Sequence, residues 1–304
     1  MPAPALVLVS IISVQVGAAL AARVFGQVTP AAITGLRLWT AAVVTAALGA
    51  RGLARAVSGL AAERAWRDAA VVAAFGVTLG VMNFSIYQSM ARIPLGIAVT
   101  IEFLGPLAVA LASSRRIADL AWVALAGAGV ALLSSGWSSL SPGHHPGHAA
   151  AVGTTVIGVV FALVAATCWA AYILLSRSTG RRFSGSSGLA IAMVIAAVVV
   201  TPAAAAGSAG HSALLRPGVL ATGVAAGLLS SVIPYRVELE ALRRMPARIF
   251  GILMSLEPAV AALAGLVLLG QALAPREWAA VGCVMAACAG ASRGGSSVET
   301  PQPS

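Results

Sequence analysis

The chain has 304 residues, of which 59% are hydrophobic and only 9% charged. Soluble globular chains carry about 25% charged residues, so this one cannot cover a water-facing surface and lipid must be its solvent. The net charge of +10 would suggest nucleic acid in a soluble protein. Here all 19 basic residues are arginines, set mostly in short gaps between apolar runs, which is the positive-inside pattern of a membrane protein.

A membrane-spanning helix needs roughly 20 mainly apolar residues. Ten segments qualify, at roughly 4–24, 30–50, 69–90, 95–113, 118–136, 151–175, 188–206, 217–241, 248–270 and 276–292. The expected fold class is therefore all-α, a polytopic membrane protein. The first segment has small residues near Ala18–Ala22 but no basic run before it. It is read as a retained span, because removal as a signal peptide would leave an unpaired set of nine.

Polar residues inside spans are costly, so each is a functional candidate. In the first span Gln15 lies at mid-depth, and in the second Arg37 lies about two turns from the outer end. In the third span Gly76, Gly80, Asn83 and Tyr87 are spaced by four, three and four, which puts them on one face. The glycines would let a neighbour approach, leaving Asn83 and Tyr87 as the cavity-facing part of the stripe. The fourth span carries Glu102 near its middle, four residues before Pro106. A carboxylate at that depth, beside carbonyls freed by a proline, suits a substrate amine or a proton.

Between Trp137 and His148 the chain is rich in Ser, Gly, Pro and His and reads as an outer linker. His144, His145 and His148 in such a segment are expected to be solvated, not metal-binding. In the sixth span Trp169 and Tyr172 share a face. Gly185-Ser186-Ser187-Gly188 falls in a connection at the membrane edge and reads as a flexible joint. The eighth span holds Pro234, Tyr235, Arg236, Glu238 and Glu240. Arg236 and Glu240 are four apart and can pair, whereas Glu238 projects to another face and is the better pathway candidate. The ninth carries Glu257 beside Pro258.

One signature recurs 152 positions apart. Arg92-Ile93-Pro94 precedes a span interrupted at Pro106, and Arg244-Met245-Pro246 precedes one interrupted at Pro258, with the same 12-residue interval in each. Interrupted helices at corresponding places in two halves point to a transporter's binding site. Aligning the halves sets Glu257 opposite Gly105, so the site is not symmetric. With both termini in the cytoplasm, 13 arginines fall on the cytoplasmic side, 4 on the outer side and 2 within spans. That bias sets the orientation. Five spans per half is an odd number, so the second half must be inverted. The expected organisation is a first five-helix repeat over 1–136, the outer linker over 137–150, a second repeat over 151–293 and a disordered cytoplasmic tail over 294–304.

No His-Glu-x-x-His, phosphate-binding loop or Gly-x-Ser-x-Gly elbow is present. Neither a catalytic residue nor a cofactor is expected, and transport must draw on an ion or solute gradient. Cys168, Cys283 and Cys288 have no metal-ligand spacing and read as small buried hydrophobes.

Met82-Asn83-Phe84-Ser85-Ile86-Tyr87 leads into Ile93-Pro94-Leu95-Gly96-Ile97-Ala98, Ile101-Glu102-Phe103-Leu104-Gly105-Pro106-Leu107 and Ser113-Ser114-Arg115-Arg116. In the second half Pro234-Tyr235 and Glu238 precede Arg244-Met245-Pro246, Arg248, Phe250 and Met254-Ser255-Leu256-Glu257-Pro258-Ala259. Together these resemble the EamA branch of the drug/metabolite transporter superfamily, and most of all its threonine/homoserine exporter group. The resemblance covers nearly the whole chain, from Ala5 to about Ser292. It implies ten helices in two inverted five-helix repeats, a central cavity, and efflux of amino acids or related metabolites across the inner membrane. Asn83, Tyr87, Glu102, Glu238 and Glu257 match family positions; Glu240 does not. Where the family often has Gly-Glu after the ninth span, this chain has Gly270-Gln271.

The expected substrate-binding residues are Asn83, Tyr87, Glu102, Glu257, Glu238, Tyr235, Gln15, Arg37, Trp169 and Tyr172, with helix breaks at Pro106, Pro258 and Pro234. Expected partners are a small-molecule substrate, the lipid bilayer and a coupling proton, with no nucleic acid and with a homodimer left open. A drug, nucleoside or sugar carrier of the same fold, and a non-transporting receptor or assembly subunit, are the alternatives.

Overall fold

The computed structural model describes residues 1–60, 66–112, 120–138, 148–183, 187–206 and 211–294. Among them all regular structure is helical. In chain order the helices are α1 (Ala3–Ala22), α2 (Pro30–Leu48), α3 (Ala50–Leu60), α4 (Trp66–Met90), α5 (Leu95–Glu102), α6 (Leu104–Ala112), α7 (Leu120–Ser138) and α8 (His148–Arg182). There follow α9 (Ser187–Ala206), α10 (His211–Leu214), α11 (Pro217–Gly227), a π turn (Leu228–Val232), α12 (Ile233–Arg244), α13 (Ala247–Met254), α14 (Glu257–Leu269) and α15 (Pro275–Gly294).

A helix occupies each of the ten segments expected from the sequence. Among the described residues eight helical stretches, from Ala3–Ala22 to Arg248–Leu269, are long and apolar enough to cross a bilayer. Val43, Val160 and Val267 are 62%, 53% and 75% exposed, as lipid-facing residues are. The chain is a multi-pass membrane protein.

Three boundaries differ from expectation. α8 begins at His148 and runs to Arg182, so it takes up the end of the expected linker and the arginines placed in the following loop. The connection after α2 is not a plain loop but holds α3, whose Leu53 and Ala56 pack on Val72, Phe75, Ile191 and Ala192 while Ala54 and Arg55 face outward. The expected eighth span is not broken at Pro234. It passes through a π turn and continues to Arg244. His144, His145, Gly185, Ser186 and the tail beyond 294 lie outside the described residues, while Ser187 and Gly188 open α9.

Proline explains the breaks after α5 and α13 and the π turn before α12. A helical proline lacks the N–H that would bond the carbonyl four residues back, and its ring crowds that carbonyl. For Pro106 that residue is Glu102, where α5 ends, and for Pro258 it is Met254, where α13 ends. For Pro234 it is Ser230, at the centre of the π turn. The two broken helices keep partial continuity: Phe103 N–H bonds the Val99 carbonyl at 3.0 Å and Ser255 N–H the Gly251 carbonyl at 3.2 Å.

The halves interlock. α4 packs on α8 and α9, α2 on α9 and α11, α1 on α12 and α14, α5 and α6 on α8, α5 on α14, and α7 on α15. Small residues allow the closest crossings. A Cβ on Gly96 would sit 2.7 Å from Ala262 Cα, where α5 meets α14.

Candidate solute-binding cavity

The interlocked halves leave a cavity of about 160 Å³ at the level of the helix breaks. All ten candidate residues line it: Gln15 from α1, Arg37 from α2, Asn83 and Tyr87 from α4, Glu102 from α5, Trp169 and Tyr172 from α8, Tyr235 and Glu238 from α12, and Glu257 from α14. Pro234 also lines it. Pro106 and Pro258 stand behind the wall, where they set the breaks.

Arg37 is the one cation among the lining residues and is 7% exposed. Its Nη2 donates to Asn83 Oδ1 at 2.6 Å and to Ser231 Oγ at 3.4 Å. Asn83 Nδ2 in turn donates to the Leu79 carbonyl at 2.8 Å, which turns the amide oxygen toward the guanidinium. The Arg37 Cζ lies 5.0 Å from the centre of the Tyr87 ring, a cation–π arrangement. Arg37 Nε and the Tyr87 hydroxyl are both buried without a partner. Gly76 and Gly80, on the same stripe as Asn83 and Tyr87, meet Ile195 and Ala196 of α9.

The three carboxylates are held differently. Glu257 opens α14, at the positive end of that helix dipole. Its Oε1 accepts from Gln15 Nε2 at 2.9 Å, while Oε2 is buried without a partner. Glu102 closes α5, at a negative helix end, and is 8% exposed. No hydrogen-bond donor among the described residues reaches it. Glu238 Oε1 accepts from Ser10 Oγ at 2.6 Å. Among the described residues no ion pair joins Arg37 to any of these acids. The cavity therefore brings together a guanidinium bonded to neutral side chains but to no acid and carboxylate oxygens without a partner, which suits a solute carrying both charges.

Positions 152 residues apart differ in chemistry. Position 105, opposite Glu257 in the alignment of halves, has no room for a side chain, because a Cβ on Gly105 would sit 2.1 Å from the Ala166 carbonyl oxygen. Met254, the counterpart of Glu102, lines the cavity as an apolar group.

Aromatic contacts fix the α8 wall. Trp169 stands edge-on to Phe103 at the helix break, with centroids 4.8 Å apart, and Tyr172 lies against Phe75 at 5.2 Å. Sequence reasoning missed Ser10 and Ser231, which bond Glu238 and Arg37, and the lining residues Ser230, Met82, Met90 and Met254. Serine and methionine are ordinary in apolar helices; only the Ser230-Ser231 pair just ahead of Pro234 was a visible cue. Gln271 was also missed. Its Oε1 accepts from Leu95 N–H at 2.9 Å, so it caps α5 from the other half of the chain.

Glu240 does not pair with Arg236; it pairs with Arg244 and, at 3.8 Å, with Arg243, away from the cavity. Of the cysteines only Cys288 is buried, and Cys168 and Cys283 are half-buried. Among the described residues no group of three or more His, Cys, Asp or Glu could hold a metal ion.

Comparison with known proteins shows the family. Residues 156–293 match the EamA-like transporter family. The threonine/homoserine exporter RhtA of Escherichia coli (strain K12) is 39% identical over 291 residues, covering 94% of this chain and 89% of that protein. RhtA of Salmonella typhimurium (strain SL1344) is 38% identical over 289 residues, covering 93% and 88%. A crystal structure 21% identical to this chain aligns with a TM-score of 0.61 over 97% of this chain and 99% of its own, a likeness of fold alone. The chain belongs to the EamA family of transporters.

Proposed function

We propose that the chain exports small amino acids of the threonine and homoserine kind across the inner membrane by alternating access. The observation that carries this reading is the cavity itself: a guanidinium with an unpartnered edge and carboxylates with unpartnered oxygens, in about 160 Å³. A zwitterion needs a donor for its carboxylate and an acceptor for its ammonium. Arg37 with Tyr87 serves the first, and Glu257 serves the second. Likeness to RhtA supports the same substrate class.

The volume argues against the drug or nucleoside alternative, since sites for drug-sized ligands run to roughly 300–1,000 Å³. Family membership argues against a non-transporting receptor.

In this reading the ten helices are two inverted repeats, over 1–136 and 151–293, with both termini cytoplasmic. The helix pairings support it. Offset by 152 residues, the packing of α4 on α8 corresponds to that of α12 on α1, and α2 on α9 and α7 on α15 each correspond to themselves. Breaks four residues before Pro106 and Pro258 correspond likewise. For coupling, Glu102 is the acid we assign to the proton: no donor among the described residues reaches it and it sits at the negative end of its helix, so a proton there removes a charge that no hydrogen bond holds.

Efflux from cells preloaded with threonine tests this. Glu102→Gln is expected to abolish efflux while the protein remains folded and membrane-inserted. Wild-type efflux in that variant removes Glu102 from the mechanism.

A further inference from the structure

We infer that the seam between α4, α8 and α9 holds a second site for a small zwitterionic solute, one side chain away from the central cavity and at the arginine-bearing end of the molecule. The inference rests on the transport reading above and adds a way in.

A second cavity of about 160 Å³ lies in this seam, walled by Phe75, Ser176, Thr179, Phe183 and Leu189. Tyr172 lines both this cavity and the central one. It lies between them, in contact with Phe75 and hydrogen-bonded to Tyr235, and in this proposal movement of that ring links the two spaces. The same seam is filled at its other end. There Phe84 stands edge-on to Phe161 at 6.1 Å, and a Cβ on Gly158 would meet Ile93 Cγ2 at 2.9 Å. The hollow therefore lies toward the ends of α4 and α8 that carry Arg67, Arg177, Arg181 and Arg182.

That mouth is bridged by an ion pair between Asp68 of α4 and Arg182 of α8. Both side chains are about two-fifths exposed, at 42% and 39%. Exposed pairs contribute little and exchange readily with water, so this bridge can open without disturbing the core.

Thr179 supplies a polar group that the fold leaves unused. Thr34, Thr100 and Thr201 give their hydroxyls to the carbonyl four residues back, as helical threonines do. The Thr179 hydroxyl does not, although the residue is 3% exposed, and it has no partner. Ser176 Oγ donates to the Ile173 carbonyl, which leaves its lone pairs to accept. Two hydroxyls on an aromatic wall, with no charged side chain lining it, hold a small amino acid weakly. Weak binding suits a waiting place ahead of the charged central cavity.

Thiol labelling tests the site in the full chain with Cys168, Cys283 and Cys288 replaced by alanine and Ser176→Cys added. In inverted membrane vesicles a membrane-impermeant thiol reagent is expected to modify Cys at 176 from the cytoplasmic face only. Threonine is expected to slow the reaction saturably, about threefold at twice the concentration that half-fills this site, as competition by mass action requires. Absence of labelling from that face, or labelling that threonine leaves unchanged, in a chain that still transports threonine, overturns the second site and leaves the central one standing. A wild-type chain that moves no amino acid overturns the transport reading instead. An independent variant, Thr179→Val, is expected to raise the KM for threonine about fivefold, the equivalent of one neutral hydrogen bond, with maximal rate preserved and Thr179→Ser restoring KM. An unchanged KM with a raised Tm makes Thr179 a structural residue and contradicts the proposal.

Discussion

Gln15 Nε2 donates to Glu257 Oε1 at 2.9 Å, tying α1 to the first residue of α14 across 242 positions of sequence. The bond occupies one carboxylate oxygen and leaves the other buried without a partner. Glu257→Gln keeps the size of the side chain and can still accept from Gln15, but it removes the charge. The expected result is threonine binding weakened at least about tenfold, since hydrogen bonds to charged groups contribute about 1.5–3 kcal/mol. A thermal-shift titration with threonine on the purified protein reads this directly. A variant stabilised by threonine as strongly as the wild type shows that Glu257 does not hold the ammonium.

Asn83 controls how much of the Arg37 guanidinium a solute can use. Asn83→Asp preserves the geometry at 2.6 Å but places a carboxylate on the cation. The buried pair then satisfies Arg37 internally. Efflux of homoserine from loaded cells is expected to fall more than about tenfold, a loss of roughly 1.4 kcal/mol or more in solute recognition, with normal expression. Undiminished efflux means that Arg37 does not bind the solute carboxylate.

The two halves of the site were unequally legible in the sequence. Asn83, Tyr87, Glu102 and Glu257 stand out because a polar group in a lipid-facing composition is costly and therefore rare. The breaks at Pro106 and Pro258 were legible for the same kind of reason, because a proline's effect on the carbonyl four residues back is local. Ser10, Ser231 and Gln271 were not, since their importance lies in partners 228, 194 and 176 residues away. α3 escaped because Arg51 and Arg55 mark a connection by charge while the helical spacing of Leu53 and Ala56 is short. At Pro234 the same local rule applied, yet α11 and α12 pack on α1 and absorb the lost bond as a π turn instead of a break.

Gly105 shows why only one half carries an acid next to its proline. Any side chain there meets the Ala166 carbonyl. Gly105→Ala is expected to destabilise the protein by about 1–3 kcal/mol, the usual cost of overpacking, measured as a lower Tm in detergent. A Tm equal to the wild type shows that α6 and α8 can separate at this crossing.

Gln271 follows the Gly270 that ends α14, and its amide oxygen caps Leu95 N–H. Gln271→Ala is expected to lose about 1 kcal/mol, as removal of a helix cap does, while Gln271→Glu keeps an acceptor and retains stability. Equal melting temperatures for Gln271→Ala and the wild type contradict the capping role.

The central claim is that this single chain moves a small amino acid through the cavity between its halves. Threonine efflux from proteoliposomes holding the purified wild-type chain, under imposed proton or sodium gradients, tests it most directly. The account predicts saturable efflux accelerated by a proton gradient, competed by homoserine and absent in Glu102→Gln. Efflux no faster than from protein-free liposomes under either gradient contradicts it.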